Sequence, residues 1–280
     1  MERRAIVTGA NSGVGLETAR GRLARGYQVV LAVRDDLKGE EAAREIGGGE
    51  VMRLDLADLE SVRSFADEYR GRHGRLDVLV NNAGIHTAER ALSPDGHEMT
   101  FATNHLGHFL LTHLLLDLLK KSAPSRIVNV ASDAHRLTGG LDFDDLHGTR
   151  AWSGLGQYNR TKLANVMFTY ALARRLENTG VSVFAVHPGT VRTRWARGPE
   201  SGVFRLGVAL ASPFLLSPAK GARTSIYAAT SPELDGKTGL YLFRQRAVAS
   251  SAASRDVAAQ ERLWRASEEM VQSSSSTRSA

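Results

Sequence analysis

Ala5-Ile6-Val7-Thr8-Gly9-Ala10-Asn11-Ser12-Gly13-Val14-Gly15 is the stretch whose reading decides the fold. Ala5–Thr8 suits a β-strand, and a helical pattern follows over roughly Val14–Ala24. Between them the glycines are spaced Gly-x-x-x-Gly-x-Gly, and each has its own task. Gly9 permits the tight turn out of the strand, Gly13 lets the main chain approach a pyrophosphate, and Gly15 lets helix and strand pack closely. The free N–H groups and partial positive charge at the helix start favour a bound phosphate, with Asn11, Ser12 and Val14 in the same turn. A strand before and a helix after make this glycine-rich loop a dinucleotide-binding signature.

Working outward, Gln28–Val33 is a second apolar strand, and Asp35 or Asp36 opens a helix to about Ile46. Val51–Leu54 is a third, with Asp58 or Ser61 capping a helix that leads to His73. Asp77–Val80, Arg126–Ala131, Val181–Val186 and Leu240–Phe243 continue the series, and long helices span about Thr103–Lys121 and Gly156–Asn178. Strands that are apolar throughout suit a parallel sheet covered on both faces. The pattern predicts an α/β protein: a single-domain Rossmann-type doubly wound sheet of about seven parallel strands, flanked by helices on both faces. The domain spans residues 1–271, and the Ser/Thr-rich stretch Gln272–Ala280 reads as a disordered tail.

The end of the second strand discriminates between cofactors. An NAD site places a carboxylate there for the ribose 2′-hydroxyl, whereas NADP needs a cation. Here Val33 is followed by Arg34, whose guanidinium suits bidentate phosphate contact. The expected cofactor is therefore NADP, unless Arg34 is a surface residue paired with Asp35 or Asp36.

Composition narrows the rest. The 280 residues carry no cysteine, which excludes a disulfide framework, a thiolate metal site and a cysteine nucleophile, and fits a cytoplasmic protein. A net charge of +6 raises nucleic-acid binding, but the arginines are scattered among acids without a basic run, so no nucleic-acid partner is expected. No apolar run approaches the ~20 residues that span a bilayer. No Gly-x-Ser-x-Gly elbow exists, which removes the commonest hydrolase on such a sheet.

Asn81-Asn82-Ala83-Gly84 after the fourth strand and Tyr158-Asn159-Arg160-Thr161-Lys162 on a later helix complete a recognisable set. From Ala5 to about Phe243 the sequence resembles the short-chain dehydrogenase/reductase family. Asn104-His105-Leu106-Gly107-His108-Phe109 and Lys162-Leu163-Ala164-Asn165-Val166 resemble its retinol-dehydrogenase and WW-domain-oxidoreductase branch. The chemistry of the residues points the same way. Tyr158 and Lys162 are four apart and share a helix face. An ammonium near a phenol favours the phenolate, lowering a pKa of about 10. Such a tyrosine exchanges a proton with an alcohol or carbonyl oxygen, and Ser132 can hydrogen-bond the same oxygen. The resemblance implies further that Lys162 holds the nicotinamide ribose and that Asn104 anchors a proton-relaying water. It also implies that Asp55, with Leu56 beside it, meets the adenine amino group, and that Asn81, Ala83 and Gly84 line the adenine ribose. Pro188, Gly189, Val191 and Thr193 match the segment that meets the carboxamide. Ala131, where many members have a second serine, and Thr161, where serine is usual before the lysine, are mild departures.

His105, His108 and His113 recur on one helix, but no carboxylate lies at matching spacing, so packing or helix hydrogen bonds are expected in place of a metal. Asp142, Asp144 and Asp145 read as a solvated loop face. The segment from about 194 to 217, with Trp195, Phe204, Leu206 and Phe214, matches the family's substrate cover. Its apolar content points to a small hydrophobic carbonyl or alcohol substrate of retinoid, steroid, long-aldehyde or polyketide-like type. Surplus apolar residues on the two long helices suggest a homo-oligomer. The expected function is NADP(H)-dependent hydride transfer. The rival is a sensor that binds NADPH without turnover, since fold alone does not exclude one.

Overall fold

The computed structural model describes residues 2–191 and 215–276. Thr193, most of the expected substrate cover and the last four residues of the chain lie outside them.

Eight strands form one sheet in the order β3-β2-β1-β4-β5-β6-β7-β8. They are β1 (Arg4–Thr8), β2 (Gln28–Val33), β3 (Glu50–Arg53), β4 (Val78–Asn81), β5 (Ser125–Val130), β6 (Val181–His187), β7 (Leu240–Phe243) and β8 (Arg246–Ala247). The first seven are parallel. β8 is antiparallel to β7 and joins it by Arg244 and Gln245, both with positive φ, 48° and 62°. The sheet thus has one strand more than the sequence reading expected. Its hairpin places non-glycine residues where a two-residue turn normally shows Asn or Gly. The chain reverses its direction of travel between β1 and β4, the switch point where such sheets bind ligands.

Nine α-helices are described: α1 (Gly13–Leu23), α2 (Asp36–Ile46), α3 (Leu59–Arg72), α4 (Met99–Phe101), α5 (Gly107–Lys121), α6 (Gly154–Arg175), α7 (Pro218–Thr230), α8 (Ala252–Arg255) and α9 (Val257–Ser276). Side chains alternate across each strand, so the sheet builds two cores. Ile6, Val30, Leu79 and Ile127 face α3, α5, α6 and α9. Ala5, Val7, Val29, Leu31, Val80 and Val128 face α1, α2 and α7.

Two helices depart from expectation. The one expected from Thr103 begins as a π turn, Ala102–Leu106, and becomes α-helical only at Gly107. There a side chain would lie 2.3 Å from the Leu56 carbonyl oxygen. The serine-rich stretch expected to be disordered continues α9 as far as Ser276, because Leu263, Trp264 and Val271 anchor that helix in the core. Trp264 packs on Phe109 and Phe168, with ring centroids 5.1 and 5.9 Å away, and Arg175 lies 3.9 Å over its ring. This packing covers part of the apolar surplus on α5 and α6 within the chain. No described helix is long and apolar enough to cross a membrane.

Candidate active site

The turn after β1 forms the floor of the site. Gly9 and Gly13 have φ of +63° and +60°, a region that costs L-residues roughly 1–2 kcal/mol. A Cβ on Gly13 would meet nothing within 4 Å, so open space lies above that main chain, where a phosphate would sit. A Cβ on Gly15 would lie 2.4 Å from the Gly9 carbonyl oxygen and 2.5 Å from Asn82 Nδ2. Ser12 caps α1 in extended conformation with no side-chain cap bond, and Asn11 is half-buried beside it.

Arg34 is exposed and forms no ion pair among the described residues. Asp35, the acid that might have neutralised it, instead accepts the Lys38 N–H as N-cap of α2 and pairs with the Lys38 ammonium. Asp55 is half-buried, with Oδ1 accepting the Ala57 N–H at 3.0 Å. Leu56 is buried in the core. The Asn81 side chain faces away from the cradle: its Nδ2 donates to Thr112 Oγ1 at 2.9 Å and to Asn129 Oδ1 at 2.8 Å. Its amide nitrogen therefore ties α5 to the sheet, while its buried Oδ1 has no hydrogen-bond partner among the described residues. Ala83 touches the Gly9 turn. Pro188, Gly189 and Val191 follow β6, and α7 reaches them through Gly221. A Cβ there would meet Val191 at 2.5 Å and Val14 at 3.2 Å. Gly221 had no sequence signal, yet it brings the exit of β6 against the cradle helix.

The four proton-handling residues come from three separate elements. Ser132, just past β5, caps a 3-10 turn over Asp133–Leu137, its Oγ accepting the Ala134 N–H at 3.2 Å. The Tyr158 phenol, carried by the start of α6, lies near enough to this hydroxyl for Ser132 to favour its charged form. One turn on, the buried Lys162 Nζ donates to the Val130 carbonyl at 3.0 Å and lies 5.5 Å from the Tyr158 ring centroid. Asn104, in the π turn, grips Ile85 twice: Oδ1 accepts its N–H at 2.7 Å and Nδ2 donates to its carbonyl at 2.9 Å. Nδ2 also donates to Thr161 Oγ1 at 3.2 Å, tying the turn to α6. A Cβ on Gly84 would lie 3.4 Å from Asn104 Oδ1 and 3.5 Å from Lys162 Nζ, so the lack of a side chain there leaves these groups facing a common space.

The electrostatics correct one expectation. The Tyr158 phenol is raised above its ordinary value by burial, with the Ser132 hydrogen bond working against the rise. Lys162 is lowered from 10.5 to about 8, also by burial. Desolvation penalises both charged forms and outweighs the pull expected from their spacing. The resting pair is thus a protonated phenol, fit to donate, beside a lysine that readily gains or loses its proton.

The three histidines of the π turn and α5 have separate partners. His105 Nε2 meets Ser267 Oγ at 2.9 Å, His108 is buried against Thr8, and His113 is exposed. Asp145 is not a solvated acid: it is buried, taking the N–H and hydroxyl of Thr149 and the N–H of Arg150, and those bonds hold its pKa well below the carboxylate range. Sequence reasoning also passed over Thr8 and His187. The ring of His187 lies beside Asp133, next to Ser132.

The short-chain dehydrogenase family model matches residues 3–201. Retinol dehydrogenase 12 of Mus musculus is 43% identical over 272 residues, 95% of this chain and 85% of its own length. The structure is similar to that of an uncharacterised protein from Mycobacterium Paratuberculosis, with TM-score 0.80 and 38% identity over 96% of this chain and 93% of that one. It is also similar to 3-ketoacyl-(acyl-carrier-protein) reductase from Brucella melitensis complexed with NADH, with TM-score 0.67 and 28% identity over 86% and 95% of the two chains. With an open glycine turn at the switch point and Ser132, Tyr158, Lys162 and Asn104 gathered beside it, the chain belongs to the short-chain dehydrogenase/reductase family of nicotinamide-dependent oxidoreductases.

Proposed function

We propose that this protein is an NADP(H)-dependent oxidoreductase acting on the carbonyl or alcohol group of a hydrophobic substrate. The observation that carries the reading is the cluster in which the half-buried Tyr158 phenol lies near Ser132 and the buried Lys162 Nζ lies 5.5 Å from the Tyr158 ring centroid. NADPH, when bound, supplies the hydride. The residues of the β1 turn would hold its pyrophosphate, and Arg34, exposed and without an ion pair among the described residues, would hold the 2′-phosphate. Ser132 steadies the substrate oxygen, and the Tyr158 phenol donates its proton to that oxygen as the carbon is reduced. Lys162, charged at neutral pH with its pKa near 8, opposes the negative charge that builds on the phenol oxygen. The oxidative direction reverses the same proton transfer.

Exposed apolar residues close in sequence to Ser132 and Tyr158 support a hydrophobic substrate. Leu137, on the 3-10 turn that Ser132 caps, is 71% exposed, and Leu155, three residues before Tyr158, is 61% exposed. Apolar side chains flanking polar reacting groups are how sites take apolar ligands. The named function of the retinol dehydrogenase relative agrees with that class.

The test is NADPH oxidation followed at 340 nm with hydrophobic aldehydes and ketones, alongside Arg34→Ala. Turnover by the wild type is expected, with the variant losing ~10- to 100-fold in NADPH affinity while its NADH affinity changes little. Unchanged discrimination would refute the 2′-phosphate role of Arg34. Tight NADPH binding without turnover across the panel would favour a sensor over an enzyme.

A further inference from the structure

His108, the second residue of α5, is almost wholly buried, and the proton transfer described above does not use it. Both of its ring nitrogens are engaged. Nδ1 lies 3.2 Å from the Asn104 carbonyl oxygen, and Nε2 lies 2.9 Å from the Thr8 hydroxyl. A carbonyl oxygen only accepts, so the ring hydrogen is on Nδ1, and Nε2 accepts the Thr8 proton. Burial pushes the ring down to about 3; the bond to Asn104 works against that, and the Lys162 charge adds to it. The Thr8 oxygen in turn accepts the Asn82 N–H at 2.9 Å and the Ala83 N–H at 3.0 Å. Its own hydrogen faces His108 Nε2 at 2.9 Å, with the Val80 carbonyl a longer alternative at 3.4 Å, and two N–H groups take its lone pairs.

The ring therefore spans two parts of the site. Thr8 is the last residue of β1, directly before Gly9 of the cradle. Asn104 occupies the π turn, where its side chain fixes Ile85 and α6. We propose that His108 is a positioning residue: its ring, with a single hydrogen on Nδ1, joins the Thr8 hydroxyl to the Asn104 carbonyl and so sets the bound dinucleotide relative to Lys162. This proposal rests on the oxidoreductase reading, because only a hydride and proton transfer requires those two parts to be in register.

Two variants separate the bonds. His108→Asn keeps a donor near the Asn104 carbonyl but does not reach Thr8, and His108→Gln reaches Thr8 but cannot donate back to Asn104. With NADPH saturating, each is expected to lose about 10- to 100-fold in kcat, the scale of a small misplacement, while KM for the carbonyl and Kd for NADPH stay within about threefold. Thr8→Val combined with His108→Asn is expected to be no worse than the poorer single variant, since the Thr8 bond that His108→Asn gives up is among the three that Thr8→Val removes. A kcat within about twofold of wild type in both His108 variants, or losses that multiply in the double variant, overturns the proposal. If the wild type reduces no carbonyl, the oxidoreductase reading fails by itself. The same cycle read by urea unfolding then decides the bridge: coupling between Thr8→Val and His108→Asn upholds it, and additivity overturns it.

Discussion

The turn after β1 and the cluster around Lys162 lie at the same edge of the sheet but are built by opposite means. The turn works through missing atoms: two left-handed glycines, open space over Gly13, and a helix packed so close that Gly15 has no room for a methyl group. The cluster works through atoms brought together from residues 104, 132, 158 and 162 and then buried, so that a lysine and a phenol are both moved toward their neutral forms. One region is defined sterically and by a few consecutive residues. The other is defined electrostatically and by the whole fold. Damage to the first should therefore register as strain and lost cofactor binding, and damage to the second as lost chemistry with binding intact.

Three substitutions sharpen that contrast. Gly15→Ala forces a methyl group into the Gly9 carbonyl and the Asn82 amide, which is itself bonded to the Thr8 carbonyl. A loss of about 3 kcal/mol is expected by urea unfolding, with NADPH binding abolished. A loss under about 1 kcal/mol would show that the turn yields.

Lys162→Met should act in the opposite sense, stabilising the fold while abolishing turnover. Depression of the lysine from 10.5 to about 8 corresponds to ~3 kcal/mol of unfavourable burial at neutral pH. Losing the bond to the Val130 carbonyl returns about 1 kcal/mol, leaving a net gain of ~2 kcal/mol. The sign with pH is definite. Between about 8 and 10.5 the unfolded lysine binds a proton that the folded one has lost, so wild-type stability rises with pH across that window. The advantage of the variant should shrink over the same window, and a constant difference from pH 7 to 10.5 would contradict the buried-charge account.

Gly13→Ala has the smallest expected effect on stability, about 1 kcal/mol, because only the left-handed backbone is penalised. Its methyl group projects into the space assigned to phosphate, so NADPH affinity should fall more than stability does. Isothermal titration against unfolding data separates the two, and unchanged affinity would place the pyrophosphate elsewhere.

The same contrast explains what the sequence revealed. Consecutive apolar residues mark buried parallel strands, and the observed limits of β2 and β7 agree with that pattern. The cradle was legible because its glycines are adjacent in sequence. β8 was not, because Arg244 and Gln245 take a left-handed turn without the residues that advertise one. The π turn has no periodicity of its own in so short a stretch, and the partners of Trp264 that hold α9 are remote in sequence. The helix hydrogen bond of His108 was among the expectations, but its contact with Thr8 was not legible because Thr8 is 100 residues away. The direction in which Tyr158 shifts depends on burial, which the four-residue spacing to Lys162 does not encode.

The most direct test of the division between cradle and cluster is Tyr158→Phe, measured for NADPH binding and for single-turnover carbonyl reduction in the same preparation. The account predicts a Kd within about threefold of wild type and a reduction rate lower by about 1,000-fold, the scale of a lost general acid. Retained reduction, or a loss of binding as large as the loss of rate, would contradict it.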